Sequence, residues 1–248
     1  MLETKARTRA AGDVTRPAEA HGGRGDLVAQ AIREGIYRCR YVPGQRLVEA
    51  DLTAEFGISR SLLREAFRRL AAEGTIEIVP NRGALVRRLT LKDAEELFEI
   101  RLELETLAAR KAAQNAADPL VRAAFLAAVS FLSDETPRLA TAAYIAENQL
   151  FHGAMFETAG NAQLVKVNTN LQLSLIMAQI STALTAEVVA TSLAEHRVIA
   201  QAIEAADAEG AATATRAHLG RARDMVLSMP AAAFTRGLHG DEIFTRAS

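Results

Sequence analysis

Apolar residues recur every three or four positions along most of this 248-residue chain, which predicts a mainly helical protein. Between Gly57 and Gly74 they form one seam, and three arginines recur every four residues on another face. A helix with such a seam packs it against a core, and this helix is expected to run from Arg60 to about Glu73. The seam consists of Leu62, Leu63, Ala66, Phe67 and Leu70, and the arginines are Arg60, Arg64 and Arg68.

The segments on either side of this helix complete a small predicted domain. One helix is expected from Asp26 to about Arg38, and a second, short helix after the Pro43–Gly44 turn contains Leu52 and Phe56 at i, i+4. Residues 75–90 alternate around a turn at 80–83 and predict a β-hairpin, and no other stretch has a convincing strand pattern. Three helices followed by a hairpin is the order of a winged helix-turn-helix.

The chain after this hairpin has a helical pattern throughout. Helices are expected at about 91–115, 119–133, 138–158, 161–183, 187–207 and 209–227. We therefore predict a mainly α protein, in which a winged helix-turn-helix domain (24–90) precedes an all-α antiparallel helical bundle domain (91–228). Residues 1–23 are expected to form a disordered arm, and the pattern assigns no structure to a C-terminal tail at 229–248.

The charges divide the chain in the same way. Residues 24–92 contain 13 Lys and Arg against 8 Asp and Glu, whereas residues 93–248 contain 12 against 19. A basic first domain on an acidic remainder indicates that the first domain meets a polyanion. Cys39 is the only cysteine, so an intrachain disulfide is impossible, and no apolar run approaches the ~18 residues of a membrane span. The expected location is therefore the cytoplasm, with no membrane association.

The arginine face of the predicted third helix suits the major groove of DNA. The second helix of a helix-turn-helix enters this groove, and Arg can donate two parallel hydrogen bonds to guanine. Arg60 and Arg64 lie in the first turns, where base edges are reached, and Arg68 and Arg69 are expected at phosphates. The alternative is a solvated charged face with nearby glutamates as ion partners, but the turn, the hairpin and the basic domain favour DNA.

Residues 43–86, PGQRLVEADLTAEFGISRSLLREAFRRLAAEGTIEIVPNRGALV, resemble the DNA-binding domain of the GntR family of transcriptional regulators. Two positions depart from the family pattern: Leu62 stands where many members have Pro, and Ala50 stands where the FadR-type branch has a further Arg. The second departure points to the VanR-like branch. By resemblance and by helix position, the expected DNA-binding residues are Ser59, Arg60, Ser61, Arg64, Arg68, Arg69, Arg82 and Gly83.

About residues 92–227 resemble the FCD ligand-binding domain that accompanies this winged helix, through LFEIRLELETLAARKAA, NQLFHGAMFETAGN and EHRVIAQAIEAAD. Several FCD domains bind a divalent metal through three His and an Asp that lies four residues before the first His. Here Asn148 takes the Asp position, and His152, His196 and His218 lie on three predicted helices. Imidazole ligands suit Zn, with Ni as the alternative, and the amide implies a weaker site or a metal-free one.

Arg101 is the candidate effector-binding residue. The resemblance places it toward the FCD cavity, where its guanidinium could hold an effector carboxylate through a forked pair of hydrogen bonds. The sequence alone leaves a second interpretation open, in which Arg101 forms a surface i,i+4 ion pair with Glu105 that contributes little.

These features predict a DNA-binding regulator and not an enzyme, most simply a repressor of a catabolic operon. A homodimer would read both halves of a palindromic operator in double-stranded DNA, and a small carboxylate effector would modulate binding. Two other classes stay open. One is a metal-dependent hydrolase that uses the three histidines, although no HExxH or nucleophile motif is found. The other is a helical interaction protein, which would leave the hairpin and the arginine face unexplained.

Overall fold

The computed structural model describes residues 19–134, 136, 138, 141–170, 173–230 and 233–234. The N-terminal part forms a winged helix-turn-helix with helices α1 (Glu19–Tyr37), α2 (Glu49–Phe56) and α3 (Arg60–Ala72) and strands β1 (Arg46–Leu47), β2 (Ile76–Val79) and β3 (Gly83–Val86). β1 and β2 both pair antiparallel with β3, so the sheet order is β1–β3–β2. The predicted helices and hairpin are confirmed. Strand β1 is additional, since two residues are too few to show an alternating pattern.

Helix α3 has the boundaries that its sequence predicts. The Ser59 hydroxyl caps the helix by accepting a hydrogen bond from the Leu62 N–H at 3.3 Å. Gly74 has a φ of 70° just beyond the helix, a conformation that glycine adopts without strain. The apolar seam is buried at Leu63, Ala66, Phe67 and Leu70, and Leu62 is half-buried. The arginine face of α3 is therefore exposed to solvent.

Helix α1 begins at Glu19 rather than at Asp26, so residues 19–23 of the predicted arm lie in a helix. The pattern missed this turn because residues 19–23 contain two glycines and no apolar repeat. The residues that follow this turn contact α3: Asp26 forms an ion pair with Arg69, and Gly25 lies close to the Glu65 side chain. Residues 1–18 of the predicted arm lie outside the described residues.

The second domain is all helical, as predicted. Its helices are α4 (Leu91–Asn115), α5 (Pro119–Ala128), α6 (Thr141–Thr158), α7 (Ala162–Asn170), α8 (Leu173–Ile180), α9 (Ala186–Glu204) and α10 (Ala208–Leu227). The helix predicted at 119–133 ends earlier and continues as a 3-10 turn at Ser130–Ser133. The helix predicted at 161–183 consists of α7, α8 and a 3-10 turn at Ser181–Ala183, and residues 171–172 lie outside the described residues.

Helix α4 is the centre of this bundle and packs on α6, α9 and α10. A capping box starts it, because Thr90 and Asp93 exchange side-chain to backbone hydrogen bonds at 3.0 and 2.8 Å. Small residues let α10 approach α4 closely: Ala108, Ala109, Ala112, Ala211 and Ala212 are all buried. The close approach brings polar side chains of α4, α6, α9 and α10 together inside the domain.

Among the described helices, none is long and apolar enough to cross a bilayer. Within the predicted tail, residues 229–230 and 233–234 are described, and the Phe234 side chain is buried. Residues 235–248 lie outside the described residues.

Candidate metal centre and DNA-reading surface

Three histidines converge inside the helical bundle. His152 on α6, His196 on α9 and His218 on α10 each offer a ring nitrogen, and these atoms lie within 4.8 Å of one another. All three rings are buried, and His196 Nε2 is 3.3 Å from His218 Nε2. Zn–N bonds of about 2.0–2.1 Å at tetrahedral angles place two nitrogens ~3.3 Å apart. The three histidines could therefore hold a metal ion, and the His196–His218 pair has the spacing of two ligands of one ion.

Two carboxylates orient the outer histidines. Glu105 Oε2 is 2.6 Å from His152 Nδ1, and Glu195 Oε2 is 2.7 Å from His218 Nδ1. Since each Nδ1 faces a carboxylate, each Nε2 is left to face the other imidazoles. Glu195 and His218 form a hydrogen bond, whereas Glu105 and His152 are in close contact without hydrogen-bond geometry. A carboxylate–histidine hydrogen bond fixes the tautomer and the ring orientation of a metal ligand. Sequence reasoning missed this role of both glutamates, because their histidines lie 47 and 23 residues away along the chain.

The protonation state of the cluster also suits a metal. Burial, followed by the neighbouring His218 and His152, lowers the pKa of His196 well below 6.5, so its ring is neutral. His152 Nε2 and His196 Nδ1 are buried and have no hydrogen-bond partner among the described residues. An unpaired buried lone pair costs free energy unless a ligand uses it. Asn148, one helical turn before His152, is 8% exposed and lines a small cavity that His152 and His218 also line.

Arg101 and Glu105 form an ion pair, but not on the surface. Their side chains are 6% and 1% exposed, and Arg101 Nε donates to Glu105 Oε1 at 2.8 Å. The surface interpretation of this pair is therefore wrong, because α6 and α10 cover that face of α4. Burial by itself would raise the pKa of Glu105, but the charges of Arg101 and His152 outweigh it and lower the pKa.

A small cavity of about 30 Å³ adjoins the histidines. Arg101 lines this cavity, as expected. Tyr144, Ser192 and Arg221 also line it and were not among the residues predicted for the site. The Tyr144 hydroxyl donates to Ser192 Oγ at 2.7 Å, and Arg221 forms an ion pair with Glu195. Burial would raise the pKa of Glu195, but hydrogen bonds from His218 and Arg221 outweigh it and lower the pKa to about 2.

The arginine face of α3 is open to solvent. Arg60, Arg68 and the hydroxyls of Ser59 and Ser61 are exposed there, and the two serine oxygens are 2.9 Å apart. The tip of the β2–β3 hairpin carries the exposed residues Arg82 and Gly83, and Gly83 has a φ of 81°. These residues lie where the sequence analysis expected a DNA-reading surface.

Two arginines of α3 are engaged by carboxylates of their own domain. Arg64 is exposed but forms two hydrogen bonds with Glu49 of α2, at 2.9 and 3.1 Å. Arg69 is half-buried and pairs with Glu65 and Asp26, on the side of α3 that faces α1. The structure therefore separates Arg69 from the open face on which Arg60, Arg64 and Arg68 lie.

Comparison with known proteins matches both domains. Residues 25–86 match the family described as bacterial regulatory proteins, gntR family, and residues 96–221 match the FCD domain. The chain belongs to the GntR family. It is 32% identical to the repressor assigned to the D-xylose utilization operon of Paenarthrobacter nicotinovorans, over 78% of this chain and 83% of that protein. This family consists of transcriptional regulators, and the chain is accordingly a regulator and not an enzyme.

Other relatives match over shorter lengths. The gluconate operon repressor of Bacillus subtilis is 34% identical over 49% of this chain and 48% of that protein. Several further curated relatives are matched over about a third to three fifths of their own length. A crystal structure of a GntR regulator from a Rhodococcus species has the same fold, with a TM-score of 0.71 at 23% identity over 84% of this chain and 99% of that one.

Proposed function

We propose that this regulator holds a divalent metal in its helical domain and that a small carboxylate effector bound beside the metal modulates the binding of a homodimer to a palindromic operator. The observation that carries the proposal is the convergence of three buried imidazoles, two of them beside carboxylates, next to a cavity lined by two arginines. The metal would supply a Lewis-acid position to which an effector carboxylate can bind.

The charges around the cavity support an anionic ligand that needs the metal. Arg101 and Arg221 face the cavity, but each is already paired, with Glu105 and Glu195. The two arginines and their two glutamates together carry no net charge, so an organic anion alone gains little from them. A divalent ion held by the histidines would supply the positive charge that favours a carboxylate.

Asn148 is the position at which this site differs from the Asp-containing pattern. An amide oxygen can ligate a metal but brings no negative charge, so the affinity for Zn should be lower than with Asp. Asn148→Asp should therefore raise the affinity for Zn by roughly tenfold or more, which corresponds to about 1.4 kcal/mol. Competition with a chromophoric chelator measures this. Equal affinities for Zn in the two proteins would place Asn148 outside the ligand set.

An apolar stripe on α4 supports the homodimer. Ile100 and Leu107 are 47% and 39% exposed, and the half-buried Leu97 and Leu104 lie on the same side. Spacings of three and four residues place the four side chains in one row, as in the seam between two packed helices. A second copy of α4 related by a two-fold axis would cover this stripe. Dimeric helix-turn-helix proteins read two half-sites about 34 Å apart.

Three measurements on the purified full-length chain test the proposal. Metal analysis should find about one Zn or similar ion per chain, and a chelator should lower the melting temperature, because a ligand that binds only the folded state stabilises it. His196→Ala should lose the metal while keeping much of the affinity for DNA selected from a random library. A chain without metal whose melting temperature is indifferent to chelator would refute the metal-dependent part.

DNA reading has its own test. Arg64→Ala should weaken binding to the selected duplex by about 1–3 kcal/mol and weaken binding to random DNA less, because a base contact specifies whereas a phosphate contact does not. Binding should also fall steeply with salt concentration. Equal losses on both duplexes would mean that Arg64 contacts phosphate only.

A further inference from the structure

The side chain of Gln179 on α8 binds three backbone groups from two distant segments. Its Oε1 accepts from the Leu89 N–H at 2.8 Å, and its Nε2 donates to the Leu89 carbonyl at 2.9 Å. The same Nε2 also donates to the Ala233 carbonyl at 3.0 Å. One amide side chain thus satisfies both backbone groups of Leu89, as a neighbouring strand would.

Leu89 lies in the four-residue linker between β3 and α4, at the junction of the two domains. Its side chain is 1% exposed, so the residue is anchored in the core. The two preceding residues each contact one domain: Arg88 Nε donates to the Pro43 carbonyl of the winged helix, and Arg87 forms an ion pair with Asp93 of α4. The Gln179 contacts therefore hold the point at which the DNA-binding domain meets the bundle.

The same helix forms one wall of the cavity. Ile176, Met177 and Ile180 of α8 line it, one to three residues from Gln179. A cavity of about 30 Å³ has room for little more than a water molecule. A carboxylate effector can therefore enter only if a wall moves.

Of the helices that line the cavity, α8 packs least against the rest of the bundle. Helices α4, α6, α9 and α10 pack extensively among themselves, whereas the main helix packing of α8 is with α1 of the winged helix. Eight residues, Leu173–Ile180, form this short helix. A displacement of α8 would therefore act on α1 directly and on the linker through Gln179.

We infer that Gln179 is a positioning residue that ties the interdomain linker to the movable wall of the effector cavity, so that the position of α8 sets the placement of the DNA-binding domain. This inference rests on the proposed function, since it assumes a ligand in the cavity and DNA on α3. Helix α8 would have two positions, and its shift between them would couple the effector cavity to the DNA-binding surface. The coupling should be lost when the three hydrogen bonds are removed.

Hydrogen exchange in the full-length chain tests the contact by itself. Gln179→Leu keeps the size of the side chain but removes all three hydrogen bonds, and exchange of the Leu89 amide should accelerate at least roughly tenfold. Gln179→Glu keeps an acceptor for this amide and should leave its exchange slow. Gln201→Leu, at an exposed glutamine of α9, is the matched control. Unchanged exchange of Leu89 in Gln179→Leu would overturn the inference.

A double-mutant cycle tests the coupling without an identified effector. Met177→Phe enlarges a cavity-facing side chain and so displaces α8 as a ligand would, with Ile180→Phe as a second perturbation of the same wall. Each should change the affinity for a duplex selected by the unmodified protein at least roughly fivefold, but less than about twofold in the Gln179→Leu background. Equal changes in both backgrounds, or none in either, would overturn the inference. Failure of the unmodified protein to select any duplex would instead refute the proposed function, and the exchange experiment would still decide whether Gln179 holds the linker.

Discussion

The buried pair of Arg101 and Glu105 yields a quantitative prediction about stability. Glu105→Gln keeps the volume of the side chain and an oxygen that can accept from Arg101 Nε, but it removes the negative charge. The Arg101 side chain is only 6% exposed, so its guanidinium would remain buried without a counter-charge. Breaking a buried ion pair by removal of one partner costs about 3–5 kcal/mol. For a chain of this length, that loss lowers the melting temperature by roughly 6–20 °C.

The same helix offers a matched control. Glu103 pairs with Arg216 at 3.1 Å, but the two side chains are 70% and 49% exposed. Glu103→Gln removes an identical charge two residues away, and it should cost no more than about 1 kcal/mol because water already screens the pair. The contrast between the two variants therefore reports burial rather than helix propensity or net charge.

Urea unfolding followed by circular dichroism, with chelator present so that no metal contributes, measures both losses. The double variant Arg101→Met/Glu105→Gln, which removes both charges, should recover most of the stability lost in the single variant. A loss below about 1 kcal/mol for Glu105→Gln, equal to that of the control, would show that water reaches the pair. The buried-charge argument for this site would then fail.

Three further predictions concern specificity, pH and assembly. Glu49→Gln should free Arg64 and remove a charge that repels phosphates, so affinity for random DNA should rise several-fold in fluorescence anisotropy; weaker binding would contradict this. In metal-free protein the lowered pKa of His196 means that below pH 6.5 only the unfolded chain takes up its proton. The melting temperature should therefore fall from pH 6.5 to about 5.5, and a flat profile would refute this. Ile100→Glu with Leu107→Glu should yield monomers in ultracentrifugation, whereas Val198→Glu, at an equally exposed site on α9, should not; a dimer that survives would exclude the α4 stripe.

The DNA-binding domain could be predicted from the sequence because its signals are local. The spacing of the α3 seam, the cap at Ser59 and the glycine at position 74 each act within one turn of the helix, and the structure reproduces the expected boundaries. The hairpin follows from alternation and a turn that are equally local. Arg69 shows the limit, because α1 and the ion pair with Asp26 decide which side of α3 it occupies.

Only the histidines and Asn148 of the candidate metal centre could be predicted from the sequence. The resemblance supplied the three histidines, and the i,i+4 spacing placed Asn148 and His152 on one face of α6. The orienting carboxylates could not be found in this way, since Glu195 precedes His196 in sequence but contacts His218 of another helix. Burial of an ion pair depends on which helices cover it, and a Glu-rich stretch such as that around Arg101 has the composition of a solvated face.

The substitution at position 148 has a consequence for how metal and effector would act together. Without a metal, Arg101 pairs with Glu105, Arg221 pairs with Glu195, and the lowered pKa of His196 keeps its ring neutral. On the proposed function, a divalent cation would add two positive charges to this buried region, and Asn148 would return none of the negative charge that an Asp supplies. A carboxylate effector would supply this negative charge instead. The cation would in turn bind the carboxylate, which Arg101 and Arg221 cannot do as well because each is already paired with a glutamate. Each ligand would then raise the affinity for the other by the same factor, as linkage requires. One amide in place of a carboxylate would thus strengthen the coupling between the metal and the effector, because the effector would supply the negative charge that Asn148 lacks.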